Sequence, residues 1–206
     1  MIAGRPLSYP QTHLHAITMS TQPGRIYLGT HSRGTLLNIS APSLLPDASD
    51  SDHLLMGGDQ SLFETRDDGK TWQKLAAVQG TVVALAATTP AKRGARTILC
   101  ATDQGLYRWQ EGQPITQLSS LPTSSPPTRI MLNDNGSALY ALFGSDLWFS
   151  TDEGTSWTHR WHFTRGDIVA LVLDPANPHE LLAGFFSPGL VLISTNGGNS
   201  WQTLTS

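Results

Sequence analysis

The hydrophobic residues of this chain fall in short runs, separated by polar segments rich in Gly, Pro, Asn and Asp. Runs of this kind, without a sustained helical period, predict β-strands along the whole chain. One type of run, which we call strand B, recurs at residues 26–29, 54–57, 98–101, 139–142 and 181–184. The first residues of these runs are 28, 44, 41 and 42 positions apart. A period of about 40 to 50 residues is typical of the four-stranded blades of a β-propeller.

Three further strand types accompany strand B, although not every unit shows all of them. A strand A precedes strand B at 15–19, 82–87, 129–132 and 168–173, and a strand C follows it at 34–39, 61–65, 105–109, 146–150 and 189–194. A strand D comes last, at 72–76, 115–118, 157–163 and 201–204. The pattern predicts an all-β fold, a small propeller of four to five blades of antiparallel four-stranded sheets. The continuous apolar runs 82–87 and 168–173 predict inner strands buried on both faces between neighbouring blades.

The first blade is predicted to be irregular, because only residues 40–52 separate strand C of the first unit from strand B of the second. About two strands are missing there. Either the first two units share a sheet in which Leu44 and Leu45 form one short strand, or one sheet is truncated and something else covers its edge. Residues 1–9 are a candidate cover. Since the repeats extend to the last residues, we expect a single domain over 1–206.

An eight-residue segment between strands C and D occurs three times, at 65–72, 150–157 and 194–201. Each copy holds a hydroxyl residue, an Asp or Asn, a Gly, a second hydroxyl residue and a Trp at the same offsets. An Asp or Asn side chain can bind the N–H groups of its own turn, Gly permits a positive φ, and Trp anchors the next strand. We call these segments the octapeptide turns and expect their residues to be structural: Thr65, Asp67, Gly69, Thr71, Trp72, Ser150, Asp152, Gly154, Ser156, Trp157, Ser194, Asn196, Gly198, Ser200 and Trp201.

Composition narrows the class of function. Charged residues make up 14% of the chain and the formal net charge is −3, so no basic field would attract nucleic acid. The single cysteine, Cys100, excludes an intrachain disulfide and a cysteine-based zinc cluster. No segment approaches the roughly 20 apolar residues of a membrane span, and no signal peptide is visible. We therefore expect a soluble, cytoplasmic protein without cofactor.

With these segments the chain resembles the Asp-box, or bacterial neuraminidase repeat, β-propellers over residues 16–204. Relatives in that family include sialidases, xyloglucan-cleaving glycosidases, sortilin-type receptors and the photosystem II assembly factor group, which share blades without sharing chemistry. The resemblance implies that the octapeptide turns lie at the outer edge of the blades, away from the central channel. It implies a structural role for Asp67, Asp152 and Asn196. The chain departs from the family by its small number of units and by Asn196.

Some residues outside the octapeptide turns offer candidate chemistry. Asp59, Asp103 and Asp146 fall in the predicted B-to-C turns, where one rim could hold a cation or a sugar hydroxyl, although Asp beside Gly is also ordinary turn chemistry. His13 and His15 share one face of a strand and could ligate a metal, but no third ligand is near, so a polar strand entering the channel is favoured. His159 and His162 flank Trp161 on an outer strand, which favours a partner contact.

The sequence favours a binding or scaffold function over catalysis. Trp148, Trp161, Phe185 and Phe186 exceed the needs of the octapeptide turns and are expected to pack between blades or to form an apolar patch. A glycosidase needs two carboxyl groups across the scissile bond, or a tyrosine nucleophile with an arginine cluster, and neither can be assembled. We therefore expect a non-catalytic propeller that mediates protein–protein contacts, possibly by self-association, as an accessory or assembly subunit. The alternative is a carbohydrate-binding or sialidase-like, glycoside-hydrolysing propeller.

Overall fold

In the computed structural model, residues 14–19, 26–30, 43–47, 50, 52–88, 96–133, 135–164, 166–174, 177–186 and 189–204 are described. These residues form β-strands joined by turns, and no helix occurs among them. The strands are β1 Leu14–Met19, β2 Ile26–Thr30, β3 Ser43–Pro46, β4 Leu54–Thr65, β5 Gln73–Ala87, β6 Thr97–Thr102, β7 Gly105–Gln110, β8 Thr116–Gln117, β9 Arg129–Leu132, β10 Leu139–Phe143, β11 Asp146–Ser150, β12 Thr158–His162, β13 Ile168–Leu173, β14 Leu181–Phe185, β15 Leu190–Ser194 and β16 Gln202–Thr203.

The strands pair antiparallel with their neighbours in sequence. Two regular four-stranded sheets are formed by β9 to β12 and by β13 to β16, each in chain order. A six-stranded sheet runs from β3 to β8, and β1 pairs with β2 in a separate sheet. The all-β prediction and the predicted order of strands A, B, C and D in the last two units are confirmed.

The three sheets from β3 onwards pack against one another in order through apolar side chains. Residues of β6 and β7, such as Leu99 and Leu106, share a core with Leu139 and Ala141 of β10. A second core joins the last two sheets, and a third lies within the six-stranded sheet. Cys100 is buried in that third core, where loss of hydration raises the pKa of its thiol to about 12. A thiol in such an environment is unreactive and fills space.

The irregular region near residues 40–52 contains the short strand predicted at Leu44 and Leu45, but among the described residues the first two units do not share a sheet, because β1 and β2 pair apart from β3 to β8. In β3, Leu44 pairs with Met56 and Leu45 with Leu55 of β4. The chain thus supplies an inner strand before the second strand B, with only a short turn between them. Residues 34–39, predicted as strand C of the first unit, and the candidate cover 1–9 lie outside the described residues.

The predicted B-to-C hairpin of the second unit is present within β4. His53 Nε2 lies 3.0 Å from Glu64 Oε2, so residues 54–65 turn back on themselves, and Gln60, with a φ of 55°, lies at the turn. The first part of β4 pairs with β3 and the second part with β5, which pairs with β6 from Val82 onwards. Gly57 lies against that next inner strand, because a Cβ there would lie 2.2 Å from Val82 Cγ1. Glycine at this position permits the close approach of two strands.

The prediction that residues 168–173 are buried on both faces is wrong. Leu171 and Leu173 of β13 point into the core shared with the preceding sheet. On the other side Val172 is 53% exposed, and Val169, at an irregularity in the pairing with β14, is 50% exposed. The strand has the composition of a strand buried on both faces, yet the described residues cover only one of its faces.

Candidate functional site

The octapeptide turns connect the third strand to the fourth in three places, β4 to β5, β11 to β12 and β15 to β16. In the second turn, Ser150 Oγ donates to Asp152 Oδ1 over 2.7 Å and accepts from the N–H of Gly154 over 2.8 Å. Asp152 in turn accepts from the backbone N–H and the hydroxyl of Ser156, over 2.8 and 2.6 Å. One carboxylate and one buried hydroxyl thus satisfy the polar groups of the whole turn.

The same network recurs in the other two turns. In the first turn, Thr65 Oγ1 donates to Asp67 Oδ1 and accepts from the N–H groups of Asp67 and Gly69. The Asp67 carboxylate accepts from the N–H and the hydroxyl of Thr71, and all these distances lie between 2.6 and 3.3 Å. In the third turn an amide replaces the carboxylate: Asn196 Oδ1 accepts from the N–H of Ser200, and its Nδ2 donates to the Ser200 hydroxyl over 2.8 Å. The amide therefore preserves the geometry, with the direction of one hydrogen bond reversed.

Hydrogen bonds hold the two octapeptide carboxylates in their ionised form. The hydroxyl and N–H of Thr71 lower the pKa of Asp67 from 3.8 to about 2, and the corresponding groups of Ser156 do the same for Asp152. Each carboxylate has its acceptor positions directed into its own turn. A carboxylate engaged in this way is poorly suited to act as a general acid or base, which supports a structural role.

The octapeptide tryptophans lie half-buried at the edges of the sheets. The ring of Trp157 meets Phe143 edge to face, with centroids 5.7 Å apart. Trp201 packs on Phe163 at 5.1 Å and donates from Nε1 to the carbonyl of Gly198 over 3.2 Å. The rings of Trp157 and Trp201 therefore link their turns to the cores between two sheets.

The three predicted rim carboxylates occupy different environments. Asp103 lies in the β6–β7 turn, where its Oδ1 accepts from the N–H of Thr81 over 2.9 Å. Asp146 begins β11, and Asp59 pairs with Thr81 beside Gln60, where β4 turns back on itself. All three residues therefore lie at B-to-C turns, as predicted. Whether these residues bind a ligand stays a prediction.

The histidines predicted to contact a partner lie on the outer strand, β12, and meet a carboxylate of the neighbouring strand β11. His159 Nε2 and His162 Nδ1 both lie 2.9 Å from Asp146 Oδ1. These hydrogen bonds lower the pKa of Asp146, and the hydrogen bond from His159 contributes most to that shift. Among the described residues no group of three or more His, Cys, Asp or Glu side chains is arranged to hold a metal ion. His13 lies outside the described residues, and of His15 only the backbone, in β1, is described.

A cavity of about 320 Å³ lies where the inner strands of four units converge. Its walls come from β3, the end of β5, β9 and β13, which follow one another in contact. Most of the lining is aliphatic, and Thr88 and Arg96 supply its polar part. The lining residues are Leu45, Pro46, Leu85, Ala86, Ala87, Thr88, Arg96, Ile130, Met131, Leu132, Leu171, Val172 and Leu173. The volume lies at the lower end of the range of ligand pockets, enough for a few side chains of a partner.

A buried cluster of charged side chains adjoins this cavity. Arg96 Nη2 lies 2.7 Å from Asp47 Oδ2, and His53 lies between two carboxylates, 2.9 Å from Asp47 Oδ2 and 3.0 Å from Glu64 Oε2. Arg66 reaches the same Glu64 oxygen from the surface. Arg96 Nη1 is also 2.8 Å from His53 Nδ1. That nitrogen cannot donate to Asp47 and accept from Arg96 at once, so the protonation of the ring decides which contact is a hydrogen bond.

Sequence reasoning missed this cluster. Its members lie at the end of β3, the start and end of β4 and the start of β6, and the Arg96–His53 contact spans 43 residues. Each residue alone resembles an ordinary loop charge. Burial lowers the pKa of the Arg96 guanidinium, and the neighbouring Asp47 opposes that shift. The ion pair with Asp47 therefore has to offset the cost of burying the guanidinium.

The aromatic residues that exceed the octapeptide turns divide into two groups. Trp161 and Phe185 line a groove of about 340 Å³ between the outer parts of the last two sheets, together with Phe163, Trp201 and two threonines. Trp148 packs against His159 at the edge of β11, and Phe186 is 79% exposed. The sequence thus anticipated both packing and an apolar patch, without showing which residues do which.

Solved structures similar to this chain are β-propeller proteins of longer chain length. "YCF48 bound to D1 peptide" superposes with a TM-score of 0.55 at 19% identity, over 89% of this chain and 59% of that chain. "YCF48 from Cyanidioschyzon merolae" gives 0.56 at 16% identity, over 80% and 55%. An ancestral GH74 enzyme gives 0.66 at 13% identity, over 93% and 32%. The chain has a β-propeller fold.

These likenesses concern the fold only, because the identities are low. No protein-family model and no curated protein matches the chain. The chain spans less than two thirds of the length of the YCF48 chains that it superposes on. The described residues include no helix that is long and apolar enough to traverse a bilayer.

Proposed function

We propose that this chain is a non-catalytic, protein-binding β-propeller of the Asp-box type, a single module over 1–206 that serves as an accessory or assembly subunit. The observation that carries the proposal is the aliphatic cavity where the inner strands of four units converge. Apolar side chains of a partner would lose contact with water there, and Thr88 and Arg96 could bind the partner's backbone or a polar side chain.

The state of the carboxylates supports a non-catalytic role. The octapeptide carboxylates of Asp67 and Asp152 are directed into their own turns. Asp103 holds the N–H of Thr81, and Asp146 holds two histidines. Glycoside hydrolysis requires a pair of carboxyl groups free to serve as acid and as base or nucleophile on a sugar. These four are committed to protein contacts.

A similar structure lends further support. One YCF48 chain with this fold is described as bound to a D1 peptide, so a propeller of this architecture can hold a peptide. We propose that the present chain also takes an extended peptide segment as its ligand. The small volume of its cavity favours recognition of a few aliphatic side chains rather than of a whole folded domain.

A library of short peptides, panned on the immobilised chain, tests this proposal. Selected peptides should be rich in aliphatic residues, and Met131→Asp, which places a charge in the cavity wall, should weaken their binding at least about tenfold in fluorescence anisotropy. Val83→Asp is the matched control, because Val83 is 39% exposed and does not line the cavity. Equal binding by the Met131→Asp and unsubstituted chains would show that the cavity is not the site.

A carbohydrate ligand is the second candidate, and the groove between the last two sheets favours it. Trp161 and Trp201 offer ring surfaces there, and Thr164 and Thr203 offer hydroxyl groups. Calorimetric titration with sialosides and β-glucans separates the two candidates. Sugar binding that Trp161→Ala removes, without turnover, would favour a lectin-like module. Turnover that Asp103→Asn abolishes in a folded protein would overturn the non-catalytic proposal.

A further inference from the structure

The four inner strands around the cavity share one hydrogen-bond register. Each is followed by a residue that donates its N–H, over 3.0 Å, to a carbonyl at the start of the next strand: Asp47 to His53, Thr88 to Thr97, Asn133 to Ala138 and Asp174 to Glu180. In an antiparallel pair, residues that bond to the partner strand alternate with residues whose N–H and C=O point the opposite way. These four bonds therefore fix which backbone groups of the inner strands face the cavity.

The strand β9 is the edge strand of its sheet and shows the consequence. Counting back from Asn133, Met131 bonds to Tyr140 of β10, so Ile130 and Leu132 direct their N–H and C=O groups away from β10. Both residues line the cavity, and within the described part of the chain neither forms a backbone hydrogen bond on that side. The cavity wall thus presents two donors and two acceptors of the main chain, in two pairs about 7 Å apart.

Two other inner strands support this assignment. In β3, Pro46 occupies an outward position, where its missing N–H removes no bond to β4. In β13, Leu171 and Leu173 are the outward residues by the same count. The carbonyl of Val169, on the same strand, accepts from Arg129 Nη2 over 2.9 Å. A side chain of β9 satisfies that carbonyl, because no described strand pairs with this edge of β13.

We propose that the peptide ligand pairs with the inner edge of β9 as an added strand. The inference rests on the proposed function, because it states how the same cavity holds its peptide. Ile130 and Leu132 bond through their N–H and C=O groups to two ligand residues that lie two positions apart. The ligand residue between them turns its main-chain groups away from β9. Side chains of the ligand alternate between the two faces of the sheet, toward the aliphatic residues of β5 and of β13 that line the cavity.

This mode of binding separates affinity from sequence. Main-chain hydrogen bonds are available to every residue except proline, so they add affinity without selecting a sequence. Selection is left to the aliphatic walls of the cavity. Selected peptides should therefore share aliphatic residues without a common polar motif, and they should lack proline at the two paired positions.

A scan of N-methylated peptides tests the pairing. The tightest peptide selected on the immobilised chain is methylated at one backbone nitrogen at a time, and binding is measured by fluorescence anisotropy. Methylation at two positions, two residues apart, should weaken binding at least about tenfold, because each removes a donor to β9. Methylation of the nitrogen between them is the matched control and should change the affinity less than about threefold. Losses that do not alternate, or a scan in which no position matters, would overturn the inference.

Amide hydrogen exchange, followed by NMR, tests the same edge from the side of the protein. In the free chain, the N–H groups of Ile130 and Leu132 should exchange at least about tenfold faster than the paired N–H of Met131. Saturating peptide should slow exchange at Ile130 and Leu132 at least about tenfold and leave that at Met131 unchanged. The experiment uses the unsubstituted chain, so it does not depend on the folding of a variant. Slow exchange at Ile130 and Leu132 without peptide would show that the chain itself covers the edge, which contradicts the inference.

The remaining outcomes separate this inference from the proposed function. If Met131→Asp weakens peptide binding but peptide leaves exchange at Ile130 and Leu132 unchanged, the cavity is the site and the added strand is wrong. If Met131→Asp binds peptide as the unsubstituted chain does, or if no peptide is selected, the proposed function fails and this inference fails with it.

Discussion

The octapeptide turns and the buried cluster around Arg96 solve the same problem in opposite ways. Each must satisfy charged or polar groups within a β-sheet protein. In the turn at 150–157, every partner of Asp152 lies within four residues of it, and the carboxylate is exposed. In the cluster, Arg96, Asp47 and His53 are nearly excluded from water, and their contacts join segments up to 49 residues apart.

The difference shows where polar groups matter for the stability of this fold. A turn whose polar groups are satisfied locally can form wherever its sequence occurs, as three copies demonstrate. The cluster forms only when β3, β4 and β6 have already come together, and each buried charge has lost its hydration. Disturbing one charge of the cluster should therefore cost more than disturbing one group of a turn.

Arg96→Met should have the largest effect of the substitutions considered. It removes the guanidinium nearest to Asp47 and leaves that carboxylate in a buried site. We therefore expect a loss of about 3 kcal/mol in the free energy of unfolding. The value lies at the low end for a broken buried pair because His53 still contacts Asp47. Urea unfolding monitored by tryptophan fluorescence measures it.

The double substitution Asp47→Leu with Arg96→Met is its control. With both charges gone, less of the destabilisation should remain than in Arg96→Met alone. If the double variant instead lost the sum of two full penalties, the pair would not be the source of the effect, and the cluster would stabilise the fold through packing.

What the sequence predicted follows the same division between local and distant contacts. The octapeptide turns and nearly all strands were predicted, because hydroxyl, Asx, Gly and Trp at fixed offsets specify a turn from within. The hairpin around Asp59 was predicted as well, but no spacing along the chain shows that Gly57 lies against Val82 of the next inner strand. The open side of β13 depends on what packs beside it, which periodicity along one strand does not reveal.

The candidate site divides in the same manner. Asp103 and Asp146 were placed near turns because their neighbours in sequence are turn formers. Arg96 and the cavity were not predicted, because four inner strands from different units enclose that space. No spacing along the chain marks residues that meet only after the sheets assemble.

Ser150→Ala should have an intermediate effect and sharpen the comparison. The hydroxyl of Ser150 is buried and accepts from the N–H of Gly154, so its loss leaves a buried donor without a partner. We expect a loss of about 2 kcal/mol, measured by urea unfolding. Thr155→Ala removes an exposed hydroxyl from the same turn and should cost less than about 0.5 kcal/mol. Equal losses would mean that burial of the hydroxyl is unimportant.

Asp152→Asn should have the smallest effect, and it should depend on pH. Asn196 shows that an amide fits the same turn, so the hydrogen bonds of the substituted turn should survive near neutral pH. The pKa of Asp152 is lowered from 3.8 to about 2 in the folded chain. A lowered carboxyl pKa contributes stability above the unfolded value, and that contribution is lost as pH falls from about 4 to about 2.

The pH profile of the urea midpoint decides whether ionisation of Asp152 stabilises its turn. The unsubstituted chain should hold a small advantage over Asp152→Asn above pH of about 4, and the two midpoints should converge near pH 2. Asn196→Asp is the reciprocal control, because it introduces a carboxyl group into the third turn and should add the same kind of acid sensitivity. A difference in midpoint that stays constant from neutral to acid pH would show that the turn depends on the shape of its Asx residue and not on its charge. The comparison with the Arg96 cluster would then be sharper still, because all charge-dependent stability of the two regions would lie in the buried contacts.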